Sequence, residues 1–65
     1  MNLADEAIAN LMRVRNVIDQ VRYPNAYRMA YSVPLNFFLA HDTEEAARIL
    51  IQAYEMGVKY NGKQI

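Results

Sequence analysis

A chain of 65 residues without cysteine, with seven basic and seven acidic side chains and a formal net charge of zero, excludes a disulfide framework. It also argues against a phosphate-gripping protein, which carries a basic surplus, and against a nucleic-acid mimic, which carries an acidic one. At this size roughly 60% of the unfolded chain's surface is buried on folding, yet 54% of the residues are apolar, so one interaction domain over residues 1–65 is expected to leave apolar surface for a partner or a second copy.

The opening Met1-Asn2-Leu3-Ala4-Asp5-Glu6 is acidic where a secretory signal is basic. The longest apolar-looking run, Val33 to Ala40, contains Pro34 and Asn36 and falls far short of the roughly 20 residues of a membrane span. These features predict a cytoplasmic protein without a membrane anchor. The first helix is predicted from Leu3 to Arg22. Ala4, Ala7, Leu11, Val14, Ile18 and Val21 recur at steps of three and four, Ile8 and Val17 widen the stripe, and Asp5, Glu6, Arg13, Asn16, Asp19 and Gln20 lie opposite. Asn2 suits the N-cap, with Asp5 and Glu6 placed against the positive end of the dipole. Pro24 is expected to stop the helix, because it disfavours helical geometry at Tyr23 and has no N–H to donate. The seam of Leu11, Val14, Ile18 and Val21 is the candidate dimerisation surface, packing against its own copy.

From Asn25 to His41 the pattern is ambiguous. Tyr27, Met29, Tyr31 and Val33 alternate with Arg28, Ala30, Ser32 and Pro34, the period of a half-buried strand. Phe37-Phe38-Leu39 resembles a strand covered on both sides, and Pro34-Leu35-Asn36 supplies turn chemistry. The segment is read as two strands or one bulged strand. The alternative is helical, because Tyr23, Tyr27 and Tyr31 are also spaced by four and Pro24 suits a first helical turn.

A second helix is predicted from Thr43 to Met56, with Asp42 as cap and Glu45 in capping-box spacing. Glu44 with Arg48 and Glu55 with Lys59 have the acid-first spacing of four, and Gly57 suits the C-terminal stop. Val58 to Ile65 is read as a short strand entering an Asn61-Gly62 turn. The expected fold class is therefore α+β in the order α-β-β-α with a short C-terminal strand, the alternative being an all-α domain of three or four helices. A small sheet covered on one face would leave an edge open, which predicts a homodimer or an obligate complex.

Reactive chemistry is sparse. His41 beside Asp42 is the one acid-base pair, and helix capping already explains the Asp. Ser32 is the single serine and no thiol exists. Asp42, Glu44 and Glu45 read as first-turn helix charges rather than metal ligands, and Asn61-Gly62 is no phosphate cradle. No enzymatic activity, cofactor or metal is expected. Five tyrosines are more informative, since a flat ring with a hydrogen-bonding tip suits a surface that is wet alone and buried on contact. Arg22, Tyr23, Tyr27, Arg28 and Tyr31 form the densest such group and are the candidate partner-binding site. The expected function is that of a non-enzymatic protein that docks on a larger protein or complex and modulates or inhibits it, as small phage inhibitors do with host or defence machinery. The alternative is a nucleic-acid-binding regulator using Arg13, Arg15, Arg22 and Arg28, with bases stacked on the aromatic rings.

Overall fold

The computed structural model describes residues 2–57, and 77% of it is helical, with no strand among those residues. The α+β class and the α-β-β-α order are thus overturned, and the domain is built from four helices. The expected C-terminal strand and its Asn61-Gly62 turn lie outside the described residues.

The first helix, α1, spans Leu3–Val17, and its start follows the sequence: the Asn2 side chain accepts a 2.9 Å hydrogen bond from the Ala4 amide. Its end comes five residues before the predicted Arg22. Ile18 turns to extended backbone, and Asp19 then competes with the helix, its Oδ1 accepting from the Val21 and Arg22 amides at 3.0 and 3.2 Å. A short acid that bonds backbone two residues on stabilises a turn as readily as helical pairing does.

The middle segment takes the helical alternative. Pro24 opens α2, Pro24–Met29, from the first helical position, and a 3₁₀ helix, Ala30–Ser32, continues it. The alternation of Tyr27, Met29, Tyr31 and Val33 that suggested a strand is accidental. The effective period is the step of four, which turns Ala26 and Ala30 fully inward. Pro34 is the N-cap of α3, Leu35–Ala40, so the run Phe37-Phe38-Leu39 is helical and buries Phe38 alone. The last helix, α4, spans Thr43–Glu55, capped by Asp42, whose Oδ1 accepts from the Glu45 amide at 2.8 Å. Gly57 follows at φ +74°, the left-handed geometry that glycine adopts without strain.

The core joins Leu11, Val14 and Ile18 to Ala26, Ala30, Phe38, Ala46, Ala47 and Leu50. Four alanines with no exposed surface, Ala7, Ala26, Ala30 and Ala46, let the helices approach closely, and Phe38 supplies the bulk between them. Two polar devices hold the helices in register. Asn10, buried on the inner face of α1, donates through Nδ2 to the carbonyls of Phe38 and His41 at 2.8 and 3.1 Å and accepts from the Thr43 hydroxyl at 2.7 Å. It thereby satisfies carbonyls that the end of α3 leaves without helical partners. Glu55 does the same for α2. Its Oε2 accepts from the Asn25 and Ala26 amides at 2.7 and 3.0 Å, replacing the cap that Tyr23 does not supply from its own side chain.

Candidate partner-binding face

Because α2 and the 3₁₀ helix form one continuous spiral, Tyr23, Tyr27 and Tyr31 fall on a single stripe beside the inward Ala26 and Ala30. The stripe is graded: Tyr23 and Tyr27 pack partly buried against the core, whereas Tyr31 is 59% exposed. Arg15, in the last turn of α1, reaches across to it. Its guanidinium carbon lies 4.0 Å from the Tyr27 ring centroid and 4.2 Å from that of Tyr31, within the range where a ring quadrupole attracts a cation. Arg15 Nε also donates to the Tyr27 carbonyl at 3.3 Å, and Nη1 donates to the Tyr31 hydroxyl at 2.9 Å. Four interactions therefore hold one side chain.

Arg22 lies 5.6 Å over the Tyr23 ring, and Arg28 donates to Asn25 Oδ1 at 3.0 Å. All five residues of the sequence-predicted site belong to this short stretch of backbone, and the structure adds Arg15 as the residue that ties Tyr27 to Tyr31. Its position gives a weak local signal only, a cation in the last turn of a helix; its partners lie 12 and 16 residues away. None of the five arginines among the described residues forms an ion pair there, because the single one present joins His41 Nδ1 to Glu45 Oε1 at 3.0 Å. The expected pairing of Glu44 with Arg48 is absent among the described residues; Glu55 accepts from the α2 amides, and Lys59, its expected partner, lies outside the described residues.

Other predicted residues are placed differently. Leu11, Val14 and Ile18 of the candidate dimerisation seam are consumed in this chain's own core, and Val21, beyond the helix, is 86% exposed. His41 Nδ1 lies 3.0 Å from Glu45 Oε1, and its ring meets that of Phe37 in a tilted contact at 4.6 Å between centroids, while Asp42 caps α4. No group of three acidic or histidine residues able to hold a metal ion occurs among the described residues. Among the same residues, no helix is long and apolar enough to cross a membrane. A shallow apolar groove of about 520 Å³ runs between α3 and α4, walled by Val33, Phe37, Ile49 and Tyr54.

No protein-family model matches the sequence, and neither a curated protein nor a solved structure matches the chain.

Proposed function

We propose that this protein acts by docking on a larger macromolecular partner, which it modulates or inhibits, through the face built from Arg15, Arg22, Tyr23, Tyr27, Arg28 and Tyr31. The observation that carries this reading is the Arg15 side chain secured over two tyrosine rings at a solvent-facing edge. Tyrosine and arginine are enriched among residues that dominate binding energy. A long side chain that must be ordered on association costs about 0.5–1.5 kcal/mol, and Arg15 is already ordered. The exposure of Tyr31 leaves ring surface for a partner to cover, while Tyr23 and Tyr27 pack beside it on the core. Large apolar side chains left in water elsewhere, Leu3 at 70% and Met56 at 63% among them, fit a chain with more apolar material than its small core holds.

The reading is tested with a photo-crosslinking amino acid at position 31, in a lysate of the source cells, with the same group at Glu44 as control. The expected result is one discrete adduct from position 31 alone, competed by excess unmodified protein but not by the Arg28→Ala/Tyr31→Ala variant. An adduct pattern identical from positions 31 and 44, or no adduct at all, removes the proposed face. Tyr27 is left intact, because its ring packs on the core and its loss would confound binding with folding.

A further inference from the structure

We infer that the surface this face receives is acidic: the guanidinium groups of Arg15 and Arg22, seated over Tyr23, Tyr27 and Tyr31, together with that of the exposed Arg28, form a receptor for clustered carboxylates on a partner protein. The inference rests on the docking reading above and specifies the chemistry of the other side.

Three observations carry it. The first is uncompensated charge. No arginine of the face is ion-paired among the described residues, and two neighbouring acids in the fold are engaged by backbone amides. Asp19 accepts from the Val21 and Arg22 amides, and Glu55 accepts from the Asn25 and Ala26 amides. The second is preorganisation. Arginine has five N–H donors in a planar fork; Arg15 engages Nε and Nη1 internally, so Nη2 is left to donate, and its direction is set before a ligand arrives. A carboxylate received there forms a charge-assisted hydrogen bond without first ordering the side chain.

The third is the extent of the positive surface, which separates a protein partner from a nucleic acid. Arg15, Arg22 and Arg28 make a discrete group of three cations rather than a track. Three phosphate contacts give a salt exponent of only about 2 for a single strand, and the chain's net charge of zero adds no long-range attraction. A folded partner can place its carboxylates on the three guanidiniums alone and lay apolar surface on Tyr31.

The test uses the full 65-residue chain, isotopically labelled, with amide and arginine Nε resonances followed by NMR. Poly-L-glutamate and an oligothymidylate strand of matched charge are titrated separately at low salt and at about 0.15 M. Polyglutamate is expected to shift the Arg15, Arg22 and Arg28 Nε signals saturably and to bind more tightly than the oligonucleotide. Arg28→Glu and Arg22→Glu, both at exposed positions, should each weaken it about tenfold, whereas Arg48→Glu on α4 should not. Tighter binding of oligothymidylate at the same signals overturns the acidic-protein inference and leaves the docking reading standing. If neither polyanion moves these signals while the position 31 adduct still forms, the inference alone fails; loss of the adduct as well removes both.

Discussion

A side-chain amide buried against two carbonyls and a hydroxyl leaves almost no freedom for substitution. Replacing Asn10 by Ala removes its hydrogen bonds to the Phe38 and His41 carbonyls and to the Thr43 hydroxyl, and an unsatisfied buried polar group costs about 1–3 kcal/mol. Asn10→Ala should therefore lower stability by about 3 kcal/mol, read by urea denaturation, because the orphaned carbonyls regain water only in part. In a domain of this size that corresponds to a melting temperature lower by about 12–24 °C. Asn10→Asp should be at least as damaging, because a carboxylate cannot donate to the two carbonyls. A melting temperature unchanged by either substitution would mean that water replaces the amide. Asn10 was within reach of sequence reasoning, since it sits between Ala7, Leu11 and Val14 on the apolar stripe and a polar residue there needs an internal partner. Which partner it finds was not legible, because those groups lie 28 to 33 residues away.

The long helices were readable and the short ones were not. Asn2, Asp42 and Gly57 mark helix ends by local chemistry that needs no tertiary context, and each acts as its residue type predicts. Half of the expected capping box is missing, because Glu45 turns to His41 rather than back to the cap. With six residues each, α2 and α3 complete fewer than two turns. A period of 3.6 cannot be told from a period of 2 over so short a window, and aromatic residues tilt the reading toward strand. Helices this short are unstable alone; here Ala26, Ala30 and Phe38 pack them into the core, and Asn10 of α1 and Glu55 of α4 bond their ends. Glu55→Ala should accordingly cost about 1–2 kcal/mol, the value of an N-cap with favourable dipole charge. The loss should be local, with hydrogen exchange accelerating at the Asn25 and Ala26 amides more than in α1. Uniform acceleration would show that Glu55 serves the whole fold rather than one helix end. Glu55→Gln keeps an acceptor and should retain most of the protection.

For the molecule as a whole the margin is thin. Stability of about 0.05–0.15 kcal/mol per residue gives roughly 3–10 kcal/mol for a chain of this length, whereas truncating a buried Phe to Ala removes about 3–5 kcal/mol. Among the described residues, Phe38 and Val14 are the largest fully buried side chains. Phe38→Ala should leave the chain largely unfolded at 37 °C by circular dichroism. Phe38→Leu, with a smaller cavity, should stay folded with a reduced melting temperature. A cooperative transition near that of the unsubstituted protein in Phe38→Ala would mean that the surrounding alanines collapse into the space. The expectation that apolar material exceeds what the core can hold came from length and composition. Composition does not encode which side chains are left outside: Val21, for one, is exposed because α1 ends at Val17.

The anchoring of α2 by Glu55 has a consequence for the order of events during synthesis. The tyrosine-bearing helix is translated early, but the group that seals its first turn belongs to residue 55. Nascent chains shorter than this carry α2 without the carboxylate that caps its Asn25 and Ala26 amides. The first turn of α2 is thus sealed only once residue 55 has been added, so this helix is completed after α1 and α3.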